Sequence, residues 1–158
     1  MRIVRGRAEL EALVGEVLGT GDWLDVTQTR IDAFADATDD HQWLHTDPER
    51  AAAGPYGAPI AHGYLVLSLL PALAATAYQV EGATARINYG LETVRFPSPV
   101  RAGSRLRVTS TLKSVAQVPA GARAVVGNTV EIEGGEKPAC VADTVSLLTF
   151  VPTDEGLE

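Results

Sequence analysis

The sequence predicts a single α+β domain in which a curved antiparallel sheet wraps around a central apolar helix. Three observations lead to this prediction. Helical periodicity is confined to the first half of the 158-residue chain, and four long segments rich in Val, Leu, Thr and Ile fill the second half. A segment without any charged residue lies between the two halves and supplies the central helix. Helices followed by hairpin-linked strands are typical of α+β domains.

The composition is that of one folded domain. A hydrophobic fraction of 46% supports a substantial core, so we take residues 1–158 as one unit. Residues 1–20 are interpreted as an N-terminal helical extension, and residues 152–158 as a flexible tail. The net charge of -7 argues against a nucleic acid partner, because phosphate binding requires a basic face.

The first half of the chain contains three predicted helices and one strand. Apolar residues recur at helical spacing over residues 8–18, and Gly19 is expected to end that helix. Residues 22–26 resemble a short strand. Thr27 is a suitable N-cap for a helix that ends near Thr38, and residues 39–45 are expected to form a loop. Asp47 and Pro48 then fit the cap and the first position of another helix.

The uncharged segment covers residues 51–80 and is expected to hold the central helix, which begins near His62 and Gly63. Pro71 should kink this helix or end its first half. The uninterrupted apolar part is 14 residues long, whereas a membrane span needs roughly 20, so we predict a buried helix and no membrane association. Strands are predicted over residues 85–96, 104–118, 122–133 and 139–151, and their length implies a strongly curved or twisted sheet.

All three histidines fall between positions 41 and 62, beside acidic residues and just before the predicted central helix. Histidine is the usual proton carrier near neutral pH and a common metal ligand. This clustering points to one site, with Asp40, His45 and His62 as its candidate residues. From spacing alone, Asp40 could equally cap a turn and His45 could be a hydrogen-bonded core histidine.

Three motifs in order resemble the MaoC-like (R)-specific enoyl-CoA hydratases and 3-hydroxyacyl-thioester dehydratases of the hotdog superfamily, in the branch of the nodulation protein N. They are Phe34 to Ala51, Ile60 to Tyr64 and Asn88 to Val100, and the resemblance spans residues 23 to 150. The family usually has Gly-Asp-x-Asn-Pro-x-His in the first motif. This chain instead has Asp39, Gln42 and Trp43 at the glycine, asparagine and proline positions.

The resemblance implies that Asp40 and His45 form a catalytic dyad and that Gly63 offers a backbone N–H to the thioester oxygen. Such a dyad would add water across a trans-2-enoyl thioester, and positioned acid–base groups contribute on the order of 10²–10⁴-fold in rate. The resemblance also implies a side-by-side homodimer with an acyl-CoA substrate. No cofactor or metal is expected beyond the CoA or acyl-carrier thioester.

Further candidates have less specific roles. His62 is expected to bond to loop backbone, Trp43 and Tyr56 to belong to the core or the pocket wall, and His41 to lie on the surface. Asn88 and Tyr89 either line the acyl pocket or serve packing, and Arg95 and Arg101 either meet CoA phosphates or only water.

Other functional interpretations stay open. Asp40, His45 and His62 have the residue types of a two-histidine, one-carboxylate metal site. An acyl-CoA thioesterase of the hotdog superfamily and a non-catalytic acyl-thioester-binding protein are the remaining alternatives. Cys140 is the only cysteine and cannot form an internal disulfide, which fits a cytoplasmic protein with a buried apolar thiol.

Overall fold

The computed structural model describes residues 1–119 and 121–150, so the predicted tail at 152–158 lies outside the described residues. The strands are β1 (Arg2–Arg5), β2 (Val17–Thr20), β3 (Leu24–Val26), β4 (Tyr78–Glu81), β5 (Ala83–Arg95), β6 (Ser104–Val118), β7 (Gly121–Ile132) and β8 (Cys140–Phe150). The helices are α1 (Gly6–Ala12), α2 (Gln28–Thr38), α3 (Trp43–Thr46), α4 (Pro48–Ala52), α5 (Gly63–Ser68) and α6 (Leu70–Ala77).

The main sheet has the strand order β2-β6-β7-β8-β5, and β3 pairs with β6 beside β2. Every pairing within this sheet is antiparallel. Its four long strands are the four that the sequence predicts, with bounds that differ by at most two residues. A separate two-stranded ribbon joins β1 and β4 in parallel.

Helices α5 and α6 pack on one face of this sheet and form the core with it. Leu65, Val66, Leu69, Leu70 and Leu73 are buried in one cluster with inward-facing residues of the long strands. The strand residues in the cluster are Leu106, Val108, Leu112, Val126 and Val130. This arrangement of an apolar helix against a long antiparallel sheet is the predicted hotdog fold.

The helices of the first half largely follow their predicted signals. The Thr27 side chain accepts a hydrogen bond from the Arg30 N–H at 3.2 Å and starts α2. Asp47 caps α4 in the same way, with Pro48 at its first position. Pro71 stands at the start of α6, so the predicted central helix is divided into α5 and α6 at Leu69. The predicted loop after Thr38 differs, because it contains the one-turn helix α3.

The N-terminal segment is not simply a helical extension, and this part of the prediction was wrong. Helix α1 ends at Ala12, and residues 17–20 form an edge strand instead of the last helical turn. Gly19 lies within that strand, where an added Cβ would stand 2.5 Å from the backbone oxygen of Ala77. The glycine therefore allows β2 to approach the end of α6 closely, and it does not act as a helix stop.

Among the described residues, no helix is long and apolar enough to cross a membrane.

Candidate active site

The candidate site lies where two segments meet in front of α5. We call residues 39–47 the dyad loop and residues 60–62 the helix-entry segment. The Ile60 N–H donates to the backbone oxygen of Leu44 at 2.9 Å, and the ring of His45 donates to the backbone oxygen of Ile60 at 2.6 Å. The ring of His62 donates to the backbone oxygen of Asp40 at 2.9 Å. These three hydrogen bonds hold the two histidines and Asp40 in one place, although 22 positions separate the ends of the set.

The dyad loop begins with a left-handed residue. Asp39 has φ 57° and ψ 22°, and it is the single non-glycine residue with positive φ within residues 1–119 and 121–150. Aspartate tolerates this conformation better than most residues, whereas glycine adopts it without strain. The substitution of Asp39 for the usual glycine of the resembled motif therefore retains a turn that brings Asp40 round to the histidines.

The contacts of His45 determine which ring nitrogen carries its proton. A backbone carbonyl can only accept, so the Nδ1 that faces the oxygen of Ile60 must carry the hydrogen. In the neutral imidazole the lone pair is then on Nε2, which is the atom left to exchange a proton with a substrate. The backbone of His45 is also held, because the Gln28 side-chain amide donates to its oxygen at 2.7 Å. The side chain of His45 is almost fully buried, with 8% exposed.

His62 lies directly against His45. Their ring centroids are 3.7 Å apart with an interplanar angle of 25°. Phe34 also packs on His62, with its ring centroid 5.0 Å from that of the histidine. Its Nε2 faces the carbonyl of Asp40 and so carries the hydrogen. Its Nδ1 is buried without a hydrogen-bond partner among the described residues. This histidine therefore supports the ring of His45 and anchors the dyad loop.

The carboxylate of Asp40 reaches both histidines while about half of its side chain stays open to solvent. One carboxylate oxygen and one ring nitrogen of each histidine lie within 4.8 Å of one another. A water that forms hydrogen bonds of about 2.8 Å to two groups can bridge atoms up to about 5.6 Å apart. The spacing between Asp40 and His45 therefore suits one water held between a carboxylate and a neutral imidazole.

The stacked histidines also bear on the metal interpretation. Two imidazoles that bind one ion place their in-plane lone pairs on a common point about 2.0–2.1 Å from each nitrogen. Rings stacked at 3.7 Å with 25° between their planes do not direct their lone pairs to such a point. The geometry therefore favours proton transfer over metal binding, and metal analysis of chelator-free protein is the direct test.

Gly63 begins α5 beside an apolar cavity of about 310 Å³ that is also lined by Tyr56 and Phe96. The first N–H to bond back within the helix is that of Val66, which donates to the oxygen of His62 at 3.1 Å. The N–H groups before it lie in the part of a helix that has no intrahelical partner. An added Cβ on Gly63 would stand 3.2 Å from the Phe96 ring, so this ring and the glycine backbone are already in close contact.

The structure places the remaining predicted residues at different distances from the dyad. Asn88 and Tyr89 line a second cavity, of about 390 Å³, between the helices and β5. Trp43 instead packs its ring under the Arg50 guanidinium at 4.5 Å. Arg95 and Arg101 are exposed, and Arg101 pairs its backbone with Ile60 in an isolated bridge. Arg101 is therefore adjacent to the site, and Arg95 is next to Phe96 at its rim.

Three functional contacts were missed by sequence reasoning. The carbonyl of Ile60 sets the tautomer of His45, the amide of Gln28 holds the His45 backbone, and the ring of Phe96 covers Gly63. The position of a backbone carbonyl cannot be recognised from residue types. The sequence around Gln28 indicates only a polar residue in the first turn of a helix. Phe96 lies in the third motif, at the end of a predicted strand, and that position does not indicate that its ring contacts Gly63.

Two titratable groups lie outside the dyad. The carboxylate of Asp36 accepts a hydrogen bond from the ring of His41 at 2.8 Å and raises the pKa of this exposed histidine. Burial raises the pKa of the Cys140 thiol to about 11. The predicted surface position of His41 and the predicted buried state of Cys140 are both confirmed.

Comparison with known proteins adds to this geometry. The MaoC like domain matches residues 9–134 of the chain. The 3-hydroxyacyl-thioester dehydratase Z of Mycobacterium tuberculosis is 53% identical over 146 residues, which cover 92% of this chain and 97% of that protein. The nodulation protein N of Rhizobium leguminosarum bv. viciae is 44% identical, with 93% of each chain covered. An R-hydratase from Pseudomonas aeruginosa, solved in the unliganded form, has a TM-score of 0.72 at 26% identity and covers 96% of this chain and 92% of its own.

Proposed function

The chain belongs to the MaoC-like domain family, and we propose that it catalyses the reversible hydration of a trans-2-enoyl thioester to an (R)-3-hydroxyacyl thioester. One observation carries the proposal: a carboxylate oxygen of Asp40 and a ring nitrogen of each histidine lie within 4.8 Å of one another, a spacing that suits a single water. The 53% identity to a protein named as a 3-hydroxyacyl-thioester dehydratase supports the same class of reaction.

The dyad accounts for each proton in the reaction. A water bound between Asp40 and His45 adds its oxygen to C3 of the enoyl group as one of its protons passes to the dyad. The unprotonated Nε2 of His45 carries the lone pair that can receive this proton. The ring is then cationic, and its Nδ1–H bond to the carbonyl of Ile60 stabilises it. The proton is then delivered to C2, so that one water is added across the double bond. Dehydration follows the same steps in reverse.

The thioester oxygen gains negative charge while C3 is attacked, and the start of α5 can stabilise this charge. The backbone N–H of Gly63 lies at the beginning of that helix, where partial positive charge accumulates. A well-placed donor to such an oxyanion is worth roughly 3–4 kcal/mol in the best-measured cases. Tyr56 and Phe96 line the adjoining cavity and supply aromatic surface next to Gly63.

The first experiment replaces the two members of the dyad. Asp40→Asn keeps the size of the side chain but removes its charge, and His45→Gln removes the proton carrier. Each variant should lower the turnover of crotonyl-CoA hydration by at least about 10²-fold, and the double variant should lose little more, because both groups act on one water. His41→Gln is the matched control, since His41 is in the same loop but its exposed ring bonds to Asp36 on the surface.

Each alternative function predicts a different result in the same assay. Hydration consumes the enoyl absorbance without releasing a thiol, whereas a thioesterase releases free CoA, and a binding protein does neither. Near-normal hydration by a folded Asp40→Asn or His45→Gln variant would contradict the assignment of the dyad.

The stereochemistry tests the mechanism separately. If the water and the returning proton both come from the dyad, they reach the same face of the enoyl group, and the N–H of Gly63 prevents the chain from turning over. Syn addition with R configuration at C3 is therefore expected, as the R-hydratase relative suggests by its name. Predominantly S product from crotonyl-CoA would overturn this arrangement.

The proposed assembly is a homodimer formed along β5. This strand pairs on one side with β8 and ends the sheet on its other side, and its side chains are largely exposed. Large exposed apolar side chains on or next to β5 are Ile87, Tyr89, Leu91 and Phe96. An open, apolar edge strand is a template for pairing with another chain, and a second copy would cover the cavity that β5 borders.

A further inference from the structure

A cavity with apolar and polar walls begins at Leu67, one helical turn beyond Gly63 on α5. It has a volume of about 390 Å³, and we call it the tail cavity. Leu67, Pro71 and Ala74 form its apolar wall on the helix side, and Arg86, Asn88 and Thr144 lie on the strand side. The near wall of this cavity is therefore about 6 Å from Gly63 along the helix axis.

The electrostatic character of the tail cavity is opposite to that of the whole protein. The chain carries 20 acidic and 13 basic side chains and a net charge of -7. The residues that line the tail cavity nevertheless include an arginine and no aspartate or glutamate. The neighbouring cavity, of about 510 Å³, shares Arg86 and Asn88 and has no acidic residue in its lining either. Among the described residues that line the tail cavity, Arg86 is therefore the single charged side chain, and its charge is positive.

Arg86 is anchored but has no anionic partner among residues 1–119 and 121–150. Its Nε–H donates to the hydroxyl of Ser146 at 3.2 Å, and its guanidinium carbon lies 5.6 Å from the centre of the Tyr78 ring. These contacts fix one edge of the guanidinium and the plane of the group. The terminal nitrogens remain available for a bidentate bond to a carboxylate.

Other arginines of the same sheet show what Arg86 lacks. Arg105 and Arg107 pair with glutamates at or just beyond the end of β7, and Arg123 of β7 pairs with a glutamate of β5, at distances of 2.6 to 3.0 Å. The residue opposite Arg86 on β8 is Leu148. The sheet therefore provides a cross-strand carboxylate for three arginines but leaves the cavity-lining one without it.

The distance from the reacting thioester determines the substrate that could reach Arg86. Pro71 and Ala74 on the helix wall of the cavity follow Gly63 by 8 and 11 residues, which corresponds to about 12 to 17 Å at the helical rise through α5 and α6. Because C–C bonds of about 1.5 Å zigzag, an extended chain advances about 1.25 Å per bond, and about ten to fourteen carbons cover that length.

We infer that the preferred substrate is an enoyl thioester of medium length whose far end carries a carboxylate, and that Arg86 binds this carboxylate in the tail cavity. This inference rests on the proposed hydration and specifies its substrate class. Beside a purely aliphatic chain the exposed guanidinium of Arg86 would meet only water, whereas a terminal carboxylate would give it an anionic partner. Arg86 is therefore a specificity-determining residue.

The test compares two substrates of equal length, trans-2-dodecenoyl-CoA and its analogue with a carboxylate in place of the terminal methyl group. The wild-type protein should hydrate the carboxylate-ended substrate with a kcat/KM at least about tenfold higher, as expected for one charge-assisted hydrogen-bonded pair. Arg86→Gln should remove this preference, and Arg86→Lys should retain part of it. Arg30→Gln is the control, since it removes a charge from the exposed surface of α2.

A second substrate pair identifies the source of the anion. The same two acyl groups are attached to pantetheine, which has no phosphate. If Arg86 binds the acyl carboxylate, the preference persists on pantetheine. If Arg86 binds a carrier phosphate, Arg86→Gln lowers kcat/KM equally for both CoA substrates and leaves it unchanged for both pantetheine substrates. The inference is then wrong.

Two further outcomes are decisive. Equal hydration of both CoA substrates by the wild-type protein, or a preference that survives Arg86→Gln in a folded variant, would overturn the role of Arg86 but leave the proposed reaction intact. Absence of hydration with every substrate, crotonyl-CoA included, would overturn the proposed function itself and this inference with it.

Discussion

At the scale of single residues, backbone carbonyls decide the chemistry of the histidines. His45 and His62 each point one ring nitrogen at a carbonyl oxygen, and this contact determines where each neutral ring carries its hydrogen. His45 is left with a lone pair on Nε2, whereas the second nitrogen of His62 is buried without a partner among the described residues. Of these two adjacent histidines, His45 is therefore the one that is suited to exchange a proton with a substrate.

The role of His62 can be tested by replacing its ring. His62→Phe keeps an aromatic ring against His45 but cannot donate to the oxygen of Asp40. We expect kcat to fall about tenfold with little change in KM, because one hydrogen bond of about 1.4 kcal/mol that holds the dyad loop is lost. The free energy of unfolding should change by less than about 1 kcal/mol, since the variant also removes a buried nitrogen that has no partner.

These two measurements separate positioning from a general structural role. Steady-state hydration gives kcat and KM, and urea unfolding gives stability. A large loss of stability with unchanged kcat would show that His62 serves only the fold, and unchanged values of both would show that the bond to Asp40 is dispensable.

At the scale of secondary-structure elements, close contact between β2 and α6 organises the N-terminal segment. Gly19 and Gly21 both face the helix, and an added Cβ on either would stand 2.5 Å from a backbone oxygen, that of Ala77 or of Leu73. The hydroxyl of Thr76 also accepts a hydrogen bond from the Asp22 N–H at 2.8 Å. The segment therefore joins the sheet as an edge strand because its glycines permit this approach.

A methyl group at position 19 should disturb that contact. Gly19→Ala is expected to lower the free energy of unfolding by about 1 to 3 kcal/mol, the usual cost of overpacking against atoms that cannot move aside. Val17→Ala in the same strand is the control and should have a much smaller effect, because Val17 is exposed. Equal stability of Gly19→Ala and the wild type in urea would show that β2 can move away from α6 at no cost.

At the scale of the whole molecule, the sheet has two different free edges. β2 and β3 pair with β6 at one edge through strands of four and three residues, whereas β5 ends the other with 13 residues. Only the long edge combines exposed apolar side chains with a border to the tail cavity. We therefore expect a second copy of the chain to pair at the β5 edge and not at the β2 edge.

Charge placed on each edge distinguishes them. Ile87 on β5 and Val17 on β2 have the same exposed fraction, 51%, so Ile87→Glu and Val17→Glu form a matched pair. Ile87→Glu should shift the protein from dimer to monomer in sedimentation velocity. Each copy contributes the same residue to a twofold interface, so the interface would contain the introduced charge twice. Val17→Glu should leave the dimer intact. A wild-type protein that is active as a monomer, or dissociation by Val17→Glu alone, would contradict the proposed interface.

The fold and the residue types of the site could be predicted from the sequence because their signals are local. The four long strands follow from runs of β-branched residues between turns, and α2 and α4 follow from the caps Thr27 and Asp47. Asp40, His45 and Gly63 could be singled out because their motifs stand at characteristic spacing.

Only the tertiary structure decided the remainder, because the contacts concerned join residues far apart in the chain. Strand β2 exists because Gly19 meets α6, some 58 positions later. The carbonyl of Ile60 sets the proton on His45, and a backbone oxygen leaves no trace in the residue types. Arg86 looked like any strand arginine until the pairing of β5 with β8 placed Leu148, and no carboxylate, beside it. Residue identity determines which groups are available, and long-range packing determines which of them meet.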